Sequence, residues 1–293
     1  MKQHTRIFLV ILLIFIGAAL FTYPMAANYI FAANASSVAQ AYDETVEQAD
    51  SDTLEQAWKE VAAYNESLEG NPVKDPFLKD SGMVMAENYA QVLNLDGSGV
   101  MGYITVPKIG VKLSIFHGTA ERVLQLGVGH LEGSSFPVGG LGVHSVLTGH
   151  TGLAHAKMFT DLRKLEKDDI FYLHILDQTF AYVVDQIKVV LPEDVADLRR
   201  AEGKDYCTLV TCTPYGVNTH RLLVRGTRTE YEPETEEQQS RDSHPSAQWF
   251  TEWNMLFGLA IGTAAAITII LTAVFKRRKK ERRTRYWWEK EHG

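Results

Sequence analysis

Hydrophobic residues follow three patterns along this chain. Uninterrupted apolar runs occupy residues 7–23 and 255–275, and each is long enough to cross a bilayer as a helix. Between them, residues 36–68 carry apolar side chains at helical spacing, with a capping-box pattern that starts at Asp52. From about residue 83 to 229, short apolar runs alternate with Gly and Pro. That last pattern is typical of β-strands and turns.

The third region predicts a β domain with few helices. The strand-like runs cover residues 101–106, 111–115, 145–147, 170–175, 180–190, 207–211 and 221–225. Many short strands with regular turn signals predict either a closed barrel or a sandwich.

The two apolar runs predict a membrane protein. Residues 276–293, which follow the second run, contain nine Lys/Arg, and such a basic flank marks the cytoplasmic side of a membrane helix. The first run is either an uncleaved anchor, which we favour, or a signal peptide cleaved at the A-x-A pattern ending in Ala35. With two anchors, both ends lie in the cytoplasm and the region between them lies outside the cell.

The charge distribution bears on the partner. The formal net charge is −7 overall, but residues 1–6 and 276–293 hold 11 of the 29 Lys/Arg and only 3 of the 36 Asp/Glu. The remaining segment therefore carries a net charge of −15. An acidic exterior argues against nucleic acid as a partner.

The two cysteines are predicted to stay unpaired. Cys207 and Cys212 are five residues apart in a strand-like run, which separates them by roughly 16 Å, whereas a disulfide needs Cα atoms within about 7 Å. Cys207 is predicted to be a buried core residue. Cys212 is then a free thiol, available for chemistry.

A hairpin places this thiol beside a permanent cation. Residues 214–219 hold Pro, Gly and Asn between two apolar runs, which predicts a turn. If the hairpin is symmetric about the bond between Gly216 and Val217, Cys212 lies directly opposite Arg221. Directly opposed residues point to one face, with Cβ atoms about 5 Å apart. Taken alone, Cys212 is equally a nucleophile or a core residue, whereas an arginine such as Arg221 is more often a surface or strand-pairing residue.

His150 is the candidate base. It sits between two glycines at the end of an apolar run, and glycine lets substrate and backbone approach the ring closely; a structural histidine is the alternative. A metal site formed by His144, His150 and His155 is not favoured. Their spacing is irregular, and no carboxylate or second cysteine lies at a matching spacing from them. The sequence predicts no metal and no cofactor.

Three motifs together resemble the sortases. They are Thr208-Leu-Val-Thr-Cys212 with Arg221 nine residues later, Leu147-Thr-Gly-His150, and Gly102-Tyr-Ile-Thr-Val-Pro107. The match covers about residues 70–230. The second membrane helix, the Asp75-Pro-Phe77 loop and the run that follows His150 are similar to the pilus-assembling class of sortases, class C.

The resemblance implies an eight-stranded closed β-barrel with short helices on the outside of a Gram-positive cell membrane. It implies that Cys212 is the nucleophile, His150 the acid–base and Arg221 the partner of the substrate carbonyl or oxyanion. Asp75 and Phe77 would form a lid, with Asp75 on the arginine and Phe77 over the cysteine.

The implied reaction joins pilin subunits. The thiolate would cleave an LPXTG-like sorting signal between Thr and Gly, and a lysine amine of another pilin would resolve the acyl-enzyme. One alternative is a sortase that anchors surface proteins to peptidoglycan; another is a membrane-tethered scaffold or adhesin without catalysis.

The expected organisation has seven segments. They are an N-terminal anchor or signal (1–27), an extracellular helical segment (28–69), the lid loop (70–82), the catalytic barrel (83–230), an acidic stalk (231–252), a transmembrane helix (253–275) and a basic cytoplasmic tail (276–293).

Overall fold

The computed structural model describes residues 3–68, 74–77 and 88–242, together with two isolated positions, 272 and 278. The chain divides into two compact units, Leu20–Ser243 and a second that combines Met1–Ala19 with His244–Gly293. The barrel and the candidate site lie wholly within the first unit. The predicted membrane helix at 253–275 and the basic tail lie outside the described residues, apart from those two positions.

Eight strands form a closed barrel, as expected from the resemblance. The strands are β1 (Val100–Val106), β2 (Val111–His117), β3 (Val128–His130), β4 (Val143–Thr148), β5 (Ile170–Ile175), β6 (Gln178–Val190), β7 (Asp205–Thr213) and β8 (His220–Thr229). Their order around the barrel is β1-β2-β3-β4-β7-β8-β6-β5. The pairs β2–β3 and β4–β7 are parallel, so the ends of β4 and β7 point the same way.

The strand pattern in the sequence missed β3. Its middle residue, Gly129, has room for no side chain: a Cβ there would lie 2.3 Å from the carbonyl oxygen of Gly118. A strand of three residues with an obligatory glycine has too little apolar character to stand out from its Gly-rich surroundings.

Two helices precede the barrel where one was predicted over residues 36–68. Helix α1 (Gln3–Gln48) ends just before Asp50, whose side chain accepts a hydrogen bond from the Thr53 amide at 2.7 Å and caps α2 (Ser51–Ser67). The capping residue is therefore Asp50, not Asp52. Both residues are acidic and adjacent to helix-forming sequence, so the pattern alone did not separate them.

One helical segment among the described residues, Leu12–Gln48 within α1, is long and apolar enough to cross a membrane. Further along, the same helix packs on the barrel. The Tyr42 hydroxyl donates to the Met101 carbonyl at 3.1 Å and accepts from the Leu176 amide at 2.7 Å. Nearer the N-terminal end of the same segment, the Asn28 side chain accepts from the Lys157 amide at 2.7 Å, and Phe31 packs edge-on against His155.

The segment after the barrel differs from the expected stalk. Residues 233–242 form helix α4 (Pro233–Asp242), which is held to the barrel by Glu236. This buried carboxylate accepts hydrogen bonds from Thr105 (2.6 Å), His174 (3.0 Å) and Tyr231 (2.9 Å). Because the helix docks through these polar contacts, its sequence has no apolar stripe from which a packed helix could be predicted.

Candidate active site

The β7–β8 hairpin brings Cys212 and Arg221 together. The two are direct partners across the antiparallel pair, which confirms the symmetric register. The turn has Gly216 at φ 75° and Asn218 at φ 60°, two residue types that tolerate the left-handed region. Cys212 is partly exposed and free, while Cys207 is free and buried in the barrel. The prediction of one buried and one available thiol is confirmed.

His150 reaches the same place from β4. In the parallel pairing, Thr148 lies opposite Val210, so two more residues along each chain lead to His150 and Cys212. Neighbouring strands are about 4.8 Å apart. Cys212 lies on β7 and Arg221 on β8, and His150 lies two residues beyond the end of β4, so the three predicted site residues come from neighbouring strand ends.

Hydrogen bonds fix the backbone beside His150. Gly149 donates its amide to the Val210 carbonyl at 3.1 Å and accepts from the Thr211 hydroxyl at 2.7 Å. A Cβ on Gly149 would lie 2.7 Å from the ring of Phe159, so this position requires glycine. The Phe159 amide in turn donates to the His150 carbonyl at 3.0 Å. The loop is thus tied to β7 immediately before Cys212.

The carboxylate of Asp75 forms an ion pair with the guanidinium of Arg221. Nε donates to Oδ1 at 2.8 Å and Nη2 donates to Oδ2 at 2.7 Å, a bidentate pair of the strongest kind. The remaining nitrogen, Nη1, donates to the carbonyls of Asn218 and His220. The Asp75 side chain is 1% exposed. In this arrangement all the guanidinium nitrogens have partners.

Phe77 lies between the arginine and the histidine. Its ring centroid is 4.9 Å from the Arg221 Cζ and 6.0 Å from the His150 ring centroid. The ring also packs against a small buried cluster that includes Val210 and Leu223. A position directly over Cys212 stays a prediction, because the contacts of the ring lie to either side of that residue.

The surroundings of Cys212 disfavour its thiolate. Burial raises the pKa of the thiol, Arg221 opposes this as a nearby cation, and Asp75 adds to it as a nearby anion. Because Asp75 contributes an anion, its position on Arg221 favours the protonated, less reactive form of the Cys212 thiol.

His144 cannot join His150 and His155 in a metal site, because its ring nitrogens already have partners. His144 uses both ring nitrogens within the protein, Nδ1 on the Arg199 carbonyl and Nε2 on the Thr208 hydroxyl, each at 2.7 Å. Burial lowers the pKa of His144 to about 4, so it is a neutral structural residue.

The structure adds a carboxylate that sequence patterns did not indicate. Glu121 begins α3 (Glu121–Leu124), and its Oε1 lies 3.4 Å from Nε2 of His150. The two residues are far apart in sequence and share no motif, so only the fold brings them together.

Comparison with known proteins identifies the family. A family model described as the Sortase domain matches residues 104–229. Sortase C of Streptococcus pneumoniae is 45% identical in its solved structure, with a TM-score of 0.61 over 67% of this chain and 97% of that chain. The pilus-related Sortase C of Group B Streptococcus is also 45% identical, with a TM-score of 0.61 over 66% of this chain and 97% of that one.

A more distant relative agrees. Sortase A of Staphylococcus aureus is 27% identical over 213 residues, which is 71% of this chain and 86% of that protein. The solved relatives are covered almost end to end at 45% identity, and the described barrel has the closed eight-stranded form expected of them. The chain therefore belongs to the sortase family and is a cysteine transpeptidase, with class C sortases among its solved structural neighbours.

Proposed function

We propose that this enzyme polymerises pilins at the outer face of a Gram-positive membrane, where it is held by its N-terminal helix and by a second helix at 253–275. The observation that supports this proposal is that Cys212 on β7 pairs with Arg221 on β8 next to the loop that carries His150, with Asp75 on the Arg221 guanidinium and Phe77 beside it. The Sortase C of Streptococcus pneumoniae is described by its pilin substrate specificity, and that of Group B Streptococcus as pilus-related.

The first step forms an acyl-enzyme. The Cys212 thiol passes its proton to His150, the sulfur attacks the carbonyl carbon of the Thr in the sorting signal, and Arg221 donates hydrogen bonds to the oxygen on which negative charge develops. His150 gives a proton to the amine of the departing Gly as the Thr–Gly bond breaks. The products are a thioester on Cys212 and a free C-terminal fragment.

The second step transfers the acyl group. The side-chain amine of a pilin lysine attacks the thioester, an isopeptide bond forms, and the carbon–sulfur bond breaks. His150 accepts the proton that the attacking amine loses, and the Cys212 sulfur is released for another cycle.

The lid must move before either step. Asp75 takes two of the five N–H groups of Arg221, and the carbonyls of Asn218 and His220 take two more, so a substrate oxygen that needs paired donors competes with Asp75. We propose that the Asp75–Phe77 segment is a gate that a pilin opens when it binds, which keeps stray electrophiles from the thiol.

Pilins are favoured over the cell wall as acceptor by two features. The solved neighbours include a sortase described as pilus-related, and the candidate site is closed by a lid on the arginine. The alternative, attachment of proteins to peptidoglycan, uses the same acyl-enzyme and differs only in the amine. A scaffold without catalysis is set aside by membership in a transpeptidase family.

The test uses the full chain in detergent micelles with a fluorescent LPXTG peptide. Trapping the thioester by mass spectrometry on Cys212, and its loss in Cys212→Ala, supports the nucleophile. Two acceptors are then compared: a folded pilin with its acceptor lysine and a peptidoglycan stem peptide. Isopeptide formation with the pilin alone supports polymerisation. Transfer to the stem peptide alone contradicts it, and acylation of Cys212→Ala contradicts the assigned nucleophile.

A further inference from the structure

A carboxylate contacts the imidazole of the proposed acid–base. Oε1 of Glu121 lies 3.4 Å from Nε2 of His150, whose side chain is 17% exposed, whereas the Glu121 side chain is 67% exposed. Nε2 itself is buried, and among the described residues no group forms a well-aligned hydrogen bond with it. A buried imidazole nitrogen that faces only a carboxylate is suited to donate a proton to it or to carry a charge beside it.

The local fold holds Glu121 at this place. The preceding residue but one, Thr119, is fixed by Glu132, which accepts from its amide at 3.3 Å and from its hydroxyl at 3.1 Å. One turn later, the Gln125 side chain donates to Oε1 of Glu121 at 2.7 Å. A carboxylate oxygen accepts more than one hydrogen bond, so this contact leaves Oε1 able to face His150.

The charges around His150 show why a carboxylate is needed. On the other side of the Phe77 ring lies Arg221, a cation that disfavours a protonated imidazole. In the closed lid Asp75 neutralises this cation, but an open lid takes Asp75 away. Glu121 and the Cys212 thiolate are then the negative groups of the site, and the thiolate is consumed on acylation.

We propose that Glu121 is a positioning residue for His150: its carboxylate holds the Nε2–H tautomer and stabilises the imidazolium while the lid is open. Nδ1 is then the nitrogen that exchanges protons with the substrate amines. The inference rests on the proposed role of His150 as acid–base. It follows the general rule that a catalytic base is itself oriented by a third group.

The test compares Glu121→Gln, Glu121→Asp and Glu166→Gln in the full chain. Glu166 is an exposed carboxylate paired with Lys108, so its variant removes the same charge away from the site. We expect Glu121→Gln to lower kcat about tenfold, as partners of this kind do, with KM for the sorting peptide within about twofold. Glu121→Asp recovers most of the loss, and Glu166→Gln behaves as wild type.

Two readouts separate positioning from a structural role. The alkaline limb of the kcat–pH profile moves to lower pH in Glu121→Gln, because the imidazolium loses its anion. In ¹⁵N NMR spectra the His150 ring, assigned with His150→Ala, loses its preference for the Nε2–H form. Unchanged tautomer and pH profile overturn the proposal, even if the variant is less active or less stable. A rise in KM alone overturns it as well.

The variant His150→Ala tests the proposed acid–base role of His150 separately from the proposed role of Glu121. If that variant keeps wild-type activity, the assigned acid–base is wrong and Glu121 has nothing to position. If His150→Ala is inactive and Glu121→Gln is normal, only the role of Glu121 is refuted.

Discussion

Removing Asp75 should unmask the nucleophile. In Asp75→Ala the two hydrogen bonds to Arg221, at 2.8 and 2.7 Å, are lost. Each hydrogen bond to a charged group contributes about 1.5–3 kcal/mol. In the open lid, water replaces part of what the guanidinium loses. We therefore expect Asp75→Ala to reduce the free energy that favours the closed lid by about 3 kcal/mol. At 1.4 kcal/mol per factor of ten, the open fraction rises about 100-fold.

The assay is the rate at which iodoacetamide alkylates the native full chain, followed by mass spectrometry. Cys212 should react up to about 100-fold faster in Asp75→Ala, where opening limits the reaction. Cys207 is a control within each molecule, because it is buried in the barrel and its burial raises its pKa. It should stay unlabelled in both proteins.

A matched variant tests whether the gain comes from the lid. Asp185 forms a second bidentate pair, with Arg225 on β8, at 3.0 and 2.8 Å. Asp185→Ala removes a carboxylate with the same bidentate geometry from another arginine of β8, away from the site. If Asp75→Ala labels at the wild-type rate, or if Asp185→Ala accelerates labelling equally, the lid does not gate Cys212.

Three further predictions follow from the same contacts. Arg221→Lys should reduce peptide cleavage at least tenfold, because a point charge cannot replace a planar fork of donors; near-normal turnover makes Arg221 structural. Asp75→Asn should move the pH profile of Cys212 alkylation to lower pH, since the anion that helps to raise the thiol pKa is gone; an unmoved profile contradicts that. Burial opposes the charge of Glu236, but hydrogen bonds led by His174 hold its pKa below the ordinary value. The α4 contact is therefore kept at neutral pH and lost as pH falls through this lowered pKa. Glu236→Gln should weaken docking by about 2 kcal/mol, read as faster hydrogen exchange in residues 233–242; unchanged exchange refutes the clamp.

The sequence was most informative where local chemistry determines geometry. Turn residues set the β7–β8 register, so the sequence alone predicts Cys212 opposite Arg221, as the structure has it. The spacing of the two cysteines likewise excluded a disulfide. Both inferences depend only on the period and rise of a strand, so they did not need the rest of the fold.

Contacts across long separations were not accessible in that way. The pairing of Asp75 with Arg221 joins residues 146 apart, and it was expected only through the resemblance to a family. Neither a motif nor the family resemblance indicated a role for Glu121. Its meeting with His150 depends on the parallel crossover between β2 and β3, and β3 was itself missed. Helix α4 shows the same limit, because a polar docking surface leaves no hydrophobic period to detect.

The contacts of Asn28 and Phe31 give the choice between signal and anchor a consequence for catalysis. Both residues precede the A-x-A pattern that ends at Ala35, and both touch the loop that continues from His150. A peptidase that cut after Ala35 would do more than release the enzyme from the bilayer. It would remove the contacts that support that loop and leave the Lys157 amide without its acceptor, so cleavage would loosen the loop that carries His150, whereas retention of the leader keeps this loop in place.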